Sequence, residues 1–247
     1  MSGWIAGVDG CPSGWIVARQ SLHRPRHVDV AIHKSFATLL DAADPPTVIA
    51  VDMPIGLPDH IGPDGRESEK EVRRLLGPRK SSVFPIPSRS AVYAEDYRSA
   101  CREAARTSTP SRKISKQAFN IFPKMREIDA LLRARSPIDP TWRERVFEAH
   151  PELAFWRLNG EHPLMHSKKI GGRPNPDGME ERRQILSAAG LSSQAVGAAP
   201  PRGAALDDLL DAMALLCVAR RLLKGEGRSF PDPPGRDAFG LPIAIWA

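Results

Sequence analysis

Apolar residues come as short unbroken runs near the start of the chain and at helical spacing near its end. Trp4-Ile-Ala-Gly-Val-Asp9-Gly10 and Val48-Ile-Ala-Val-Asp52-Met-Pro54 are each an apolar run closed by one aspartate and turn residues. Runs of that length predict strands buried on both faces, from the middle of a sheet. Trp15-Ile-Val-Ala-Arg19 follows the first run across a Pro/Gly turn, which predicts an antiparallel hairpin, and His27-Val-Asp-Val-Ala-Ile-His33 alternates as a third strand. A helix from Phe36 to Ala43 then leads to the fourth strand, the one that ends at Asp52.

From Asp59 to about Arg112 the pattern changes to charged, helix-prone segments between Pro-rich turns, among them Glu67-Ser-Glu-Lys-Glu-Val-Arg-Arg-Leu-Leu76. Residues 59–112 read as a helical and loop insertion after the fourth strand. A further helix is expected from Ser115 or Lys116 to Ala134, kinked or interrupted by Pro123. Arg145-Val-Phe-Glu148-Ala supplies a fifth strand, and Pro151 suits the first turn of a short helix after it. Met179 to Ala189 is amphipathic, residues 195–205 are an Ala/Pro/Gly-rich link, and Leu206 to Arg221 has the spacing of a helix. The tail from Phe230 to Gly240 is Pro/Gly-rich and reads as a loop before a short edge strand, Leu241 to Trp246.

The chemistry lies where these elements end. A carboxylate at the end of a buried strand is costly unless something compensates it. Ligands of sheets with parallel strands bind at the strands' carboxyl ends, and neighbouring strands lie roughly 5 Å apart. If the first and fourth strands are neighbours, Asp9 and Asp52 are close enough to share a cation. On the late helix Asp208 and Asp211 are three apart and project together, while Asp207 is rotated away. Four hard carboxylates suit Mg²⁺ or Mn²⁺ and a two-metal phosphoryl-transfer site. Taken singly, each acid has a simpler explanation: an Asx turn for Asp9 or Asp52, and a cap or helix-dipole contact for Asp208. Asp211 lies a turn further in, among Leu209, Leu210, Ala212 and Met213, where those explanations fade.

Glu148, at the end of the fifth strand, and His150, two residues on, are candidates for an outer ligand or a proton carrier. Pairing with an arginine of the 143–145 stretch is the competing role for Glu148, and a structural one for His150. Gly77-Pro-Arg79-Lys80-Ser81-Ser82-Val-Phe84-Pro85-Ile-Pro87-Ser88-Arg89 combines cations, hydroxyls and an aromatic in a turn-rich loop. Arg79, Lys80, Ser81, Ser82 and Arg89, with Lys116, are candidate phosphate contacts, and Phe84 a base-stacking or core residue. Lys113, Lys124 and the run Lys168-Lys169-Ile-Gly-Gly-Arg173 extend the same basic character.

Composition changes the picture only at the edges. The 247 residues, 41% hydrophobic, are read as one domain over 1–247. Lys and Arg total 35 against 29 Asp and Glu, a formal net charge of +6 that permits nucleic acid as a partner without demanding it. Cys11, Cys101 and Cys217 are scattered and form no CxxC pair, so neither a disulfide framework nor a zinc knuckle is expected. That cysteine usage fits a reducing cytoplasm. No signal-peptide pattern opens the sequence and no apolar run reaches membrane-spanning length, so no membrane association is expected.

The segments Gly7-Val-Asp9-Gly10-Cys11-Pro-Ser-Gly-Trp15, Asp52-Met-Pro-Ile-Gly56-Leu-Pro, Arg79-Lys-Ser-Ser-Val-Phe-Pro85, Glu148-Ala-His150-Pro-Glu152 and Asp208-Leu-Leu-Asp211-Ala together resemble the family catalogued as domain of unknown function 429. That family is described as a predicted nuclease of the ribonuclease H-like fold, and the resemblance spans nearly the whole chain. It implies an α/β fold with a mixed five-stranded sheet flanked by helices, and a metal-dependent nuclease. More distantly, Asp208-x-x-Asp211-Ala-x-Ala resembles the final-helix acid pair of RuvC-type resolvases, whose other acids lie on the first and fourth strands. The resolvases usually have glutamate where this chain has Asp52. The alternatives are an actin-like nucleotide-binding phosphotransferase or ATPase, suggested by Gly7-Val-Asp9-Gly10-Cys-Pro-Ser-Gly14, and a non-catalytic nucleic-acid- or protein-binding module.

Overall fold

The computed structural model describes residues 3–24, 27–63 and 65–247. Strand β1 (Trp4–Cys11) pairs antiparallel with β2 (Gly14–Ser21), and β2 with β3 (Asp29–His33). Helix α1 (Phe36–Leu40) returns the chain to β4 (Val48–Val51), which lies parallel to β1 with Ile5 opposite Val48 and Val8 opposite Val51. Helices α2 (Glu67–Leu76), α3 (Arg89–Val92), α4 (Tyr97–Arg106), α5 (Lys116–Asn120) and α6 (Phe122–Arg135) follow. Strand β5 (Val146–Glu148) then joins parallel to β4. The five strands form one mixed sheet in the order β3-β2-β1-β4-β5. This order, with helices flanking the sheet and a helical region after β4, is that of a ribonuclease H-like fold.

Beyond β5 come α7 (Pro151–Leu158), the hairpin of β6 (Lys169–Ile170) and β7 (Arg173–Pro174), α8 (Pro176–Ala188), α9 (Ser193–Val196) and α10 (Leu206–Leu223). Alternation along the strands splits the core into two layers. Ile5, Ile16, Ala18, Val48 and Ala50 face α10, packing in one cluster with Leu209, Met213 and Leu216. Ala6, Val8, Val17, Ile49 and Val51 face the other way, onto Phe36 of α1 and Phe122, Met125 and Ile128 of α6. Gly7 sets how closely α10 approaches. A Cβ there would fall 2.0 Å from the Leu216 nitrogen and 2.2 Å from the Ala212 oxygen, so the helix backbone rests directly on β1.

One expectation about local structure is met and one needs adjusting. The predicted helix after Ser115 is interrupted as expected, with Ile121 between α5 and α6 and Pro123 in the first turn of α6, where its missing N–H costs nothing. The Pro-rich tail, however, is not a loop. Residues Ser229–Arg236 form β8, which pairs antiparallel with β9 (Pro242–Trp246) across a register shift between Phe230 and Gly235. Prolines that would break a central strand are tolerated in such a two-stranded ribbon, where one edge needs no partner. A parallel bridge between Ala149 and Trp246 sets the ribbon beside β5, outside the main sheet.

Candidate functional site

The parallel register of β1 and β4 brings the two strand-end aspartates side by side. Val8 lies opposite Val51, and the amide of Asp52 continues the ladder by donating to the Val8 carbonyl at 2.9 Å. By alternation both acids point to the face covered by α10. Because Gly7 seats α10 at Ala212 and Leu216, Asp211 is brought to the same place from above. Asp9 and Asp211 are buried, and Asp52 is partly so.

The electrostatics follow from this crowding. Burial first, then the charges of Asp52 and Asp211, hold the Asp9 carboxyl well above the ordinary carboxylate range. Asp52 is pushed up to about 7, by burial first and then by Asp211, while Asp9 lies within hydrogen-bonding reach of it. Both strand-end carboxyls are thus held toward their protonated forms. The Asp9 carboxylate accepts a hydrogen bond from the Gly10 amide at 2.7 Å.

Lys168, the residue before β6, supplies the balancing cation. Its Nζ lies 2.6 Å from Asp211 Oδ2, and Lys169 Nζ lies 2.7 Å from Asp207 Oδ2. The Asp211 charge, more than any other group, raises the Lys168 pKa. The hairpin that presents both lysines turns at Gly171-Gly172, where both residues have positive φ, as a two-residue turn of this hand requires. These lysines had looked like an extension of a phosphate-binding surface. Nothing in the sequence links Lys168 to an aspartate 43 positions away.

The other predicted site residues divide. Asp208 is half-buried and accepts from the Ala205 amide at 2.9 Å, so it caps α10 while also raising the Asp9 pKa slightly. Asp207 is turned away, as its spacing predicted, and engages Lys169. Glu148 lies one residue short of the level of Asp52, since it pairs with Val51, and follows Val146, which faces the α6 side. Its place in the alternation differs from that of Asp52, but it lines the same cleft. There Arg66 grips it at 2.5 and 3.0 Å and the Ile55 amide donates to it at 2.7 Å. The expected partner among residues 143–145 is replaced by Arg66, which sequence reading did not single out. Its signal was the Arg66-x-x-Glu69 spacing at a helix start, which the structure realises through the Arg66 amide and Glu69 at 2.8 Å.

His150 caps α7. Its Nδ1 accepts from the Glu152 amide at 3.2 Å, which leaves Nε2 to donate to the Ser82 carbonyl at 3.3 Å. Burial lowers its pKa, so the neutral ring ties the 77–82 turn to the sheet's edge. In that turn Lys80, Ser81 and Ser82 are exposed, whereas Arg79 donates to the Leu164 and Met165 carbonyls. Arg89 does not reach the acids: its guanidinium is taken by Asp129, Asp237 and the Leu57 carbonyl. Lys116 is exposed at the start of α5.

A cleft of about 340 Å³ runs over the acids, lined among others by Asp9, Asp52, Ser82, Lys124, His150 and Lys168. Among the described residues no group of three or more His, Cys, Asp and Glu side chains is spaced to enclose a metal ion. The arrangement is the one balanced by the Lys168 ammonium. The donor chemistry nevertheless fits a hard cation: all the converging side chains are carboxylates, and among the described residues the buried Asp211 Oδ1 has no hydrogen-bond partner. The β1–β2 turn is less suited to cradling a nucleotide phosphate, because its Gly10 and Ser13 amides are committed to Asp9 and the Gly203 carbonyl.

Fold and acids together define an α/β protein of ribonuclease H-like topology with carboxylates gathered at the ends of its central parallel strands. The chain belongs to the family described as "Protein of unknown function (DUF429)", which matches residues 7–236. No curated protein and no solved structure matches it. Among the described residues no helix is long and apolar enough to cross a membrane.

Proposed function

We propose that the chain is a divalent-cation-dependent hydrolase of phosphodiester bonds in nucleic acid. The observation that carries this reading is the convergence of Asp9, Asp52 and Asp211 beneath an open cleft, with more negative charge than one lysine balances and one buried Asp211 oxygen unpartnered among the described residues. Asp9, Asp52 and Asp211 would hold Mg²⁺ or Mn²⁺, with Asp208 beside them. The ion supplies Lewis-acid stabilisation of phosphoryl oxygens and a water of lowered pKa.

The chain's own residues do the rest. Asp9 and Asp52, held toward their protonated forms, release protons when positive charge increases nearby. Lys168, 39% exposed against 1% for its partner Asp211, is placed to swing from carboxylate to an arriving phosphate. His150, neutral and hydrogen-bonded on both nitrogens, positions the 77–82 turn, so that Ser82 lines the cleft and the exposed Lys80 and Ser81 before it would offer a cation and a hydroxyl to a phosphate backbone.

The test presents purified protein with single-stranded, double-stranded and branched DNA and with RNA, in Mg²⁺, Mn²⁺ or chelator. Cleavage by the wild type in metal, abolished in Asp9→Asn and Asp211→Asn while both variants stay folded, is the expected result. Undiminished cleavage by those variants, or none of any substrate by the wild type, overturns the reading.

A further inference from the structure

A second cavity, of about 430 Å³, opens beside the acid cleft between Ile61–Pro63 with Gly65, the Phe84–Pro87 strap and the start of α5. Ile61, Phe84, Ile86, Ile114 and Ala118 make its walls largely apolar. Phe84 and Ile86 also line the acid cleft, so one thin wall separates the two. Arg112 and Lys113, both exposed, stand on its lining. Among the described residues neither side chain has an ion-pair partner.

We infer that this cavity receives a nucleobase splayed out of a single-stranded or locally unpaired nucleic acid whose backbone crosses the acids next door. This rests on the phosphodiester reading of the acid cleft and names its substrate class. The cavity is of a size that takes small ligands, and its apolar, ring-bearing wall suits a flat aromatic base. The adjoining cations suit the phosphates on either side of that base. A purely apolar partner would have no use for Arg112 and Lys113, and a fully stacked duplex would have no group to insert.

The polar atoms in the cavity say which bases it takes. The Ser108 hydroxyl donates to the Ala104 carbonyl and accepts from the Arg112 amide, and Ser115 Oγ accepts from the Ala118 amide. With these groups committed, the cavity recognises a π-face more than a base edge, and the preference among bases is weak.

Gly62 offers a way to fill the cavity without disturbing the fold. It stands on the lining, and among the described residues a Cβ added there meets nothing within 4 Å. Fluorescence anisotropy in chelator, with no cleavage to confuse the readout, would compare a labelled single strand with the same strand made abasic. Wild type should bind the intact strand roughly tenfold or more tightly, the scale of a lost base–aromatic contact. Gly62→Phe should lose that preference and bind both strands as the wild type binds the abasic one. Arg112→Ala with Lys113→Ala should weaken both strands equally and flatten their salt dependence. Equal binding of intact and abasic strands by the wild type overturns the base pocket and leaves the phosphodiester reading standing. No binding of any strand overturns the nucleic-acid reading, and this inference with it. The abasic comparison uses wild type alone, so it decides the matter even if Gly62→Phe fails to fold.

Discussion

Two groups of buried acids meet at the same cleft at one end of the sheet, and they are balanced differently. In one group Glu69 and Glu148 share the guanidinium of Arg66, whose Nε, Nη1 and Nη2 all find carboxylate or the Ile55 and Gly56 carbonyls. Asp129 and Asp237 share Arg89 in the same manner. On the α10 side Asp9, Asp52 and Asp211 share one ammonium, held on an exposed hairpin. A buried acid matched by a fixed, planar, fully used guanidinium holds the fold together. An acid cluster under a mobile point charge is set up to exchange that charge for another.

The sharpest way to break this contrast is to remove Arg66. Arg66→Ala strands Glu69 and Glu148 in the core, and burial already pushes Glu148 up to about 7 with Arg66 in place. Loss of one partner of a buried pair costs about 3–5 kcal/mol. Urea denaturation of the variant should show a fall of that size. A change below about 1 kcal/mol, the scale of a surface pair, would mean that the two clusters do not differ as described.

Next in size is Lys168→Ala. The lysine is partly exposed, so its removal should cost less than that of Arg66, about 2 kcal/mol near neutral pH after allowing for solvent screening. The variant should also gain more thermal stability from Mn²⁺ than the wild type does, because the cation no longer competes with an ammonium for Asp211. Thermal melts with and without Mn²⁺ read both effects. A smaller Mn²⁺ response than wild type would show that Lys168 helps to build the cation site instead of competing for it.

How much of this was legible in the sequence depended on how far each signal reaches. Asp9 and Asp52 were found because each closes a buried run, and the run itself announces the strand. Asp208 and Asp211 were found because helical spacing is a local property. Glu148 ends a strand of only three residues, too short for alternation to declare a face, so its cleft position was legible but its arginine partner was not. Arg66 and Lys168 carry their meaning across 82 and 43 positions of chain, a distance that no local pattern spans. The β8–β9 ribbon was hidden by its prolines, which argue against central strands but not against a lone pair.

The smallest expected effect has the opposite sign from the first two. Asp52 keeps its proton up to about 7 in the folded chain, against an ordinary carboxylate value near 4 when unfolded. As pH rises through that window the unfolded chain releases its proton first, so stability falls between about pH 4 and pH 7 and levels off above. Asp9, raised by burial and by Asp52, adds to the same fall. Asp52→Asn removes one titrating group and lowers the other, while Glu148 titrates alike in both proteins and cancels from the comparison. The variant should therefore match the wild type near pH 4 and exceed it at pH 8. Denaturation curves across that range decide it. A variant less stable than the wild type at pH 8 would mean that Lys168 fully balances the acids, and that the α10 side is as well paired as the other.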